Sequence, residues 1–280
     1  MSYVRVATAN LLHGRSLVDG LVDSVRMTSA ITSLGADVVA LQEVDRNQAR
    51  SGDSDQTAAI AAAFGGEASF RFVPAIIGEP GGRWIAAGPS DPHSGHDLAS
   101  TDDLPAAYGI GLITRLPVEA WHVVCLPAAP VKSPIMMPGS RRLMLLADEP
   151  RVALIAVLPA GVAPFRTVAT THLSFVPGWN VRQLQTVLSA VAALPGPHVI
   201  LGDLNLPARA VRAVLAITRR NRQWTSLAAV ATYPGPGPRI QFDHVLADRT
   251  LELASPATAV TMAISDHRAL VADFVTSTSP

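Results

Sequence analysis

Apolar runs of strand length recur along the chain, and polar or charged residues stand at their ends. Asn10, Glu43, His172, Asp203, Asn205, Asp243, Asp266 and His267 each lie at, or one or two residues beyond, the end of such a run or in its following turn. Residues gathered at strand ends on one sheet edge are placed for binding or chemistry, whereas polar residues that serve a core sit inside the runs. The strongest instance is Leu201-Gly202-Asp203-Leu204-Asn205, where an apolar strand stops at glycine and presents an acid and an amide two positions apart. Two-residue spacing lets both side chains point to one face of an extended chain. Taken alone, the segment reads equally well as an ordinary turn, because Asp and Asn favour turns through local hydrogen bonds.

The periodicity between these points predicts a mixed α/β chain. Val4–Ala9 alternates in the manner of a strand and ends at Asn10. Leu21, Val25, Thr28, Ile31 and Leu34 recur at helical spacing until Gly35, and a buried-type strand follows from Asp37 to Glu43. If the two strands run parallel, Glu43 reaches the same edge as Asn10. A helix is predicted over Gln56–Phe64 and a strand over Phe70–Ile77. Residues 78–107 are rich in Gly, Pro, Asp and Ser and read as one long loop, of the kind that often serves as a binding element or lid. Its Asp91, His93, His96 and Asp97 fit a solvated loop better than a second metal site.

Strand candidates then crowd together at Gly109–Thr114, Val118–Leu126, Leu143–Ala147, Val152–Leu158 and Arg166–Thr171. Val181, Leu184, Val187, Leu188 and Val191 mark a helix. A strand His198–Leu201, a helix Ala208–Ile217 and strands near Gln241–Ala247 and Arg268–Phe274 complete the pattern. Neither linker nor repeat divides the chain, so residues 1–280 read as a single domain.

Composition removes several function classes. Lys and Arg number 22 and Asp and Glu 22, a formal net charge of zero, which argues against a protein that coats DNA. At 49% hydrophobic and 16% charged residues the chain can bury a sizeable core. The single cysteine, Cys125, cannot form an internal disulfide, and its apolar run Trp121–Leu126 suggests a buried inert thiol. The first residues lack the charged start and apolar stretch of a signal peptide, and no run approaches the ~18 apolar residues of a membrane span. A soluble cytoplasmic chain is expected.

The polar strand ends suggest specific chemistry. Asp243 in Phe242-Asp243-His244, or Asp266 in Ser265-Asp266-His267, could pair with His267 and hold it as an oriented, charged imidazole. Thr170-Thr171-His172-Leu173 ends another strand with an imidazole. Glu43 follows Val38-Val39-Ala40-Leu41, and a buried carboxylate there needs a partner. A hard divalent cation held by oxygen ligands is one such partner.

As an ordered set, Ala7-Thr8-Ala9-Asn10, Leu41-Gln42-Glu43-Val44-Asp45, Tyr108-Gly109-Ile110-Gly111-Leu112, Thr171-His172-Leu173, Gly202-Asp203-Leu204-Asn205, Phe242-Asp243-His244 and Ser265-Asp266-His267 resemble the endonuclease/exonuclease/phosphatase superfamily. The resemblance runs from residue 5 to about residue 274. It implies a four-layered α/β sandwich, two mixed β-sheets packed face to face and flanked by helices, with a Mg²⁺-dependent phosphoester-hydrolysing site that Mn²⁺ could also serve.

The resemblance further implies that Glu43 is the principal magnesium ligand, with Asn10 and Asp266 beside it, and that Asp203 orients and deprotonates the attacking water. Asn205 would hold that water or a phosphate oxygen, His172 would donate to a non-bridging oxygen, and His267, polarised by Asp243, would stabilise the pentacovalent state. Arg151 would contact phosphate, with Arg142 a competing assignment, and Ile110 stands where many members have Asn. The chemistry is consistent on its own terms: in-line attack needs an activated water and positive or donor groups against the equatorial oxygens.

Substrate is less constrained. The neutral charge, Lys132 as the only lysine and 5% aromatic residues favour a small or lipid-derived phosphoester, with a nuclease of the same chemistry as one alternative and an inactive binding protein on this fold as another. Arg209, Arg212, Arg219, Arg220 and Arg222 follow the Asp203–Asn205 motif. On a helix such a series is usually a solvated face, and beside the site it could receive nucleic acid or a polyphosphate head group.

Overall fold

A computed structural model describes residues 2–65, 68–88, 105–136, 143–217 and 223–276. Its first half contains strands β1 (Tyr3–Asn10), β2 (Val38–Arg46), β3 (Ser69–Gly78), β4 (Trp84–Ala86), β5 (Ala107–Thr114) and β6 (Ala120–Leu126), with helices α1 (Ser24–Thr32) and α2 (Gln56–Ala63). The remainder contains β7 (Ser133–Met136), β8 (Leu143–Leu146), β9 (Arg151–Val157), β10 (Thr167–His172), β11 (His198–Asp203), β12 (Trp224–Ser226), β13 (Asp243–Asp248), β14 (Thr258–Val260) and β15 (Ala269–Val275), with α3 (Trp179–Val191) and α4 (Ala208–Ile217).

Seven strands form one sheet in the order β14-β15-β1-β2-β5-β3-β4, and six form a second in the order β12-β13-β11-β10-β9-β6. The β7-β8 hairpin stands apart. Both sheets are mixed: β1 and β2 run parallel, as do β10 and β11, while their other partners are antiparallel.

Strand alternation sorts the side chains into three apolar layers. Val4 and Val6 of β1, Val38 and Ala40 of β2, Val152 and Leu154 of β9, and Val199 and Leu201 of β11 meet in one core between the sheets. The intervening Ala7, Ala9, Val39 and Leu41 turn outward to Met27 and Ile31 of α1 and Ile60 of α2. On the opposite side Ala153, Ile155 and Ile200 pack on Leu184, Val187, Leu188 and Val191 of α3 and on Val211 and Leu215 of α4. The order is helix, sheet, sheet, helix, as the motif order implies.

The same parity explains the site. Asn10, His172, Asp203 and Asp243 share the even or odd register of the inter-sheet residues on their own strands, so each points between the sheets at one end. His172 pairs with Asp203 across the parallel β10-β11 ladder, and Asp203 pairs with Asp243 across β11-β13. Just beneath, buried polar contacts tie the sheets together: Thr8 Oγ1 donates to Gln42 Oε1 (3.1 Å), and Gln42 Nε2 donates to Thr170 Oγ1 (3.1 Å).

Gly202 makes the Asp203 approach possible. Its φ is +150°, and a Cβ there would lie 2.0 Å from the Thr171 carbonyl oxygen of the neighbouring strand. Overlap with backbone cannot be relieved by a rotamer change, so Gly202→Ala is expected to cost more than about 4 kcal/mol of stability. Urea unfolding, or recovery of no folded protein, would show it; a midpoint equal to wild type would refute the steric account.

Three expectations change. In α1 the buried stripe is Met27, Ile31 and the following Leu34, while Leu21 (63% exposed) and Val25 (77%) face outward; the helix begins only at Ser24, with the Asp23 carboxylate capping the Arg26 N–H at 2.7 Å. Cys125 is exposed, because β6 is the edge strand of its sheet and is only partly covered along its length. The long loop read at 78–107 opens instead with a hairpin, since β3 continues to Gly78 and β4 pairs back on it. Residues 89–104, with Asp91, His93, His96, Asp97, Asp102 and Asp103, lie outside the described residues, as do Arg142, Arg219, Arg220 and Arg222.

His244 illustrates the outward parity. It is fully buried, with Nε2 bonded to the Leu206 carbonyl (2.8 Å) and Nδ1 facing the Gln241 amide nitrogen (3.3 Å). Burial holds its pKa below the ordinary value. The unfolded chain therefore takes up a proton that the folded chain refuses, and stability conferred above pH ~6.5 is lost as the pH falls. Relative to His244→Gln, the wild type is expected to lose up to about 1.4 kcal/mol per pH unit below ~6.5. Parallel pH dependences of the two proteins in denaturant titrations would contradict this.

Candidate active site

Asn10 is the bridge of the site. Its amide nitrogen donates to Glu43 Oε1 (3.0 Å) and to Asp203 Oδ2 (3.1 Å), which joins the two sheets. Its oxygen accepts the Leu12 N–H (3.1 Å). Glu43 reaches it through a β-bulge: the β2-β5 register shifts between Leu41 and Val44, and Glu43 adopts φ +54°.

Asp203 is held from several sides. Its Oδ1 accepts the Asn205 N–H (2.9 Å), while Oδ2 lies 3.6 Å from His172 Nε2 and 3.8 Å from His267 Nε2. Asn205 has φ +48°, with its carbonyl accepting from Asn180 Nδ2 (3.0 Å) and its own Nδ2 donating to Leu173 O (2.9 Å). His267 Nδ1 bonds Asp243 Oδ2 at 2.9 Å, the His267 backbone N–H donates to Ser265 Oγ (3.0 Å), and the Tyr233 ring lies 4.8 Å from the imidazole. Of the two acids considered as the His267 partner, the contact is with Asp243.

His172 meets Arg151, whose guanidinium NH1 stands 3.4 Å from Nδ1. The other ring nitrogen, Nε2, lies 3.2 Å from the Asn205 amide nitrogen, so a donor group faces each side of this imidazole. Arg151 is itself buried beside Asp148 (3.9 Å), and Asp148 accepts from Ser174 Oγ (2.7 Å). Ile110, at the position lacking an amide, lies in the core between the sheets.

Burial and charge set the protonation states. Burial drives the Asp203 carboxyl up, Asp243 pushes the same way against the opposing pull of His267, and its pKa stands at about 7. Burial works against a charged His267, but Asp243, Asp203 and Asp266 outweigh it and raise its pKa to about 10. Burial, reinforced by Arg151 and His267, keeps His172 well below its ordinary value and neutral. Glu43 is raised mainly by burial and further by Asp266, against the Asn10 hydrogen bond. A carboxyl that titrates near neutrality thus faces an imidazolium that keeps its proton.

The donor set fits a hard cation. Glu43, Asp203, Asp243 and Asp266 are close enough to perturb one another or their shared neighbours, and Asp243 Oδ1 is buried without a hydrogen-bond partner. Asp203 and Asp243 are buried and Glu43 and Asp266 half-buried, and carboxylate in this excess is costly unless compensated. Asp203, Asp243 and His267 present ligand atoms within 4.8 Å of one another, and His267 Nδ1 is engaged with Asp243. Glu43 and Asp266 add hard oxygen donors that could hold a divalent ion.

Tyr233, Asn180 and Asp148 were not singled out from the sequence. Only Tyr233 carried a signal, its place in the turn-rich Tyr233-Pro234-Gly235-Pro236-Gly237-Pro238 just ahead of Phe242-Asp243.

Comparison with known proteins gives a consistent result. The model of the endonuclease/exonuclease/phosphatase family matches residues 7–267. A solved endonuclease/exonuclease/phosphatase from Beutenbergia cavernae aligns with a TM-score of 0.63 at 21% identity over 98% of this chain and 72% of that one. One from Bacteroides vulgatus aligns with a TM-score of 0.64 at 18% identity, over 98% and 99% of the two chains. A mannosyl-6-phosphatase from Bacteroides thetaiotaomicron aligns with a TM-score of 0.60 at 11% identity, over 98% and 100%. At these identities the structures show a shared fold. No curated protein sequence matches the chain. Among the described residues no helix is long and apolar enough to cross a membrane.

Proposed function

The chain belongs to the endonuclease/exonuclease/phosphatase family, and we propose that it is a Mg²⁺-dependent hydrolase of a small or lipid-derived phosphoester. Members of the family are typically phosphoester hydrolases. The observation that carries the reading is Asp203, with a pKa of about 7, set 3.8 Å from an Asp243-bound His267 with a pKa of about 10. A base and a charged donor share one buried edge.

Glu43 and Asp266 would hold the ion, which supplies positive charge against the phosphoryl oxygens when bound. Asp203 accepts the proton of the attacking water, and Asn205, whose Nδ2 is engaged with Leu173, turns its amide oxygen to orient that water. His267 donates from Nε2 to the phosphoryl oxygen that gains charge, while Asp243 keeps the imidazole oriented. His172 donates to a second oxygen, and Arg151 beside its ring adds positive charge.

The test is hydrolysis of bis-p-nitrophenyl phosphate, p-nitrophenyl phosphate, plasmid DNA, RNA and inositol phosphates with Mg²⁺, Mn²⁺ or EDTA. EDTA-sensitive turnover of a small phosphoester in preference to plasmid is the expected result; no turnover with any metal would overturn the reading. Glu43→Gln is expected to raise the Mg²⁺ concentration for half-maximal rate at least tenfold, because it removes one anionic ligand. An unchanged metal titration would exclude Glu43 as a ligand.

A further inference from the structure

A groove with an apolar floor that includes Ala229, Val230 and Ala231 opens beside the active edge of the six-stranded sheet. Pro207, Arg209 and Arg212 at the start of α4, and Arg239, Ile240 and Gln241 ahead of β13, line this open groove of about 540 Å³. Its lining contains no Asp or Glu. All three guanidinium groups are exposed, and none pairs with a carboxylate among the described residues. Arg5, Arg26, Arg50, Arg151 and Arg166 each face an acid, whereas these three arginines share one groove that has no acid in its lining.

The groove adjoins the hydrolytic site by chain connection. Pro207 follows Asn205 by two residues and Gln241 precedes Asp243 by two, and two residues span at most ~7 Å. Both segments leave the sheet at the edge where Asp203 pairs with Asp243. An anion beyond the reacting phosphate would meet three planar forks suited to phosphate oxygens.

We propose that the groove of Arg209, Arg212 and Arg239 binds a second phosphate of the substrate, beyond the one hydrolysed, so that the natural substrate carries at least two phosphates. This rests on the phosphoester-hydrolase reading. The second phosphate belongs either to a small multiply phosphorylated molecule or to the next position of a nucleic-acid strand, and the two sources share the chemistry that the groove recognises.

The experiment compares wild type with the triple variant Arg209→Gln, Arg212→Gln, Arg239→Gln in the full chain. The three side chains are exposed, so equal melting temperatures are expected, and a variant that melts lower is replaced by the three single substitutions. With Mg²⁺, KM for an inositol bisphosphate or for a short oligonucleotide is expected to rise at least tenfold with kcat retained, while both constants for p-nitrophenyl phosphate stay within twofold. Whichever of the first two wild type hydrolyses more efficiently identifies the source. Equal effects on all substrates, or none on any, overturn the groove assignment.

Binding of inorganic pyrophosphate in EDTA, measured by calorimetry, separates this inference from the hydrolase reading. The metal-free hydrolytic site is acidic, so tight binding there is not expected, and the groove should account for a Kd at least tenfold weaker in the variant. If wild type hydrolyses nothing, the hydrolase reading fails while this difference still supports an anion groove; equal Kd values overturn the groove in either case.

Discussion

Asp203→Asn is expected to lower kcat by about 10²–10⁴-fold with little change in KM, the range associated with loss of a general base. The carboxylate lies between Asn10, Asn205, His172 and His267, and its pKa of about 7 leaves a large basic fraction at neutral pH. Asparagine keeps the shape and removes the proton acceptor. The same substitution reports on stability in chelator-treated protein. A carboxyl whose pKa rises from 3.8 to about 7 on folding binds its proton more tightly in the folded state, so its contribution is full below pH 3.8 and lost as the pH rises to about 7. Wild type should therefore lose stability relative to the variant across that interval. Activity retained within threefold would remove Asp203 from its assigned role, whatever the stability curves show.

His267→Gln is the second large effect, an expected loss of about 10²–10³-fold in kcat. Gln can still donate a hydrogen bond, but it carries no charge, and His267 is the group that Asp243, Asp203 and Asp266 hold protonated. Asp243→Asn should reproduce part of the loss, because the 2.9 Å contact to Nδ1 both orients and charges the ring. The two losses should not add, since they act on one imidazole. Full additivity in the double variant, measured as kcat on the preferred substrate, would show that Asp243 acts elsewhere.

Much of this site was legible before any fold was known. Strand parity is a local property: a run such as Val199-Ile200-Leu201-Gly202-Asp203 states which residues share a face, and the inter-sheet direction of Asp203 follows once Val199 and Leu201 are buried there. The same parity holds in the fold for Asn10, His172 and Asp243, which the sequence marks as strand ends. It failed where a segment is too short to show a period, as in the three-residue strands β4, β12 and β14, and where two helical faces compete, as in α1. It failed again for Cys125, because an apolar run does not declare whether its strand lies at a sheet edge.

Local pattern, then, determined the mixed α/β class, the family motifs and the set of polar strand ends. Tertiary structure decided their partners. Regular alternation alone would send Glu43 to the outer face with Leu41; the bulge between Leu41 and Val44 redirects the chain there and lets Asn10 bridge it to Asp203 on the other sheet. The choice of Asp243 over Asp266 as the His267 partner, the Arg151 contact with the His172 ring and the elevated Asp203 pKa depend on groups from 21 to 193 residues apart. Hydrogen bonding and burial act through space, and these distances come into being only when the two sheets close on one another.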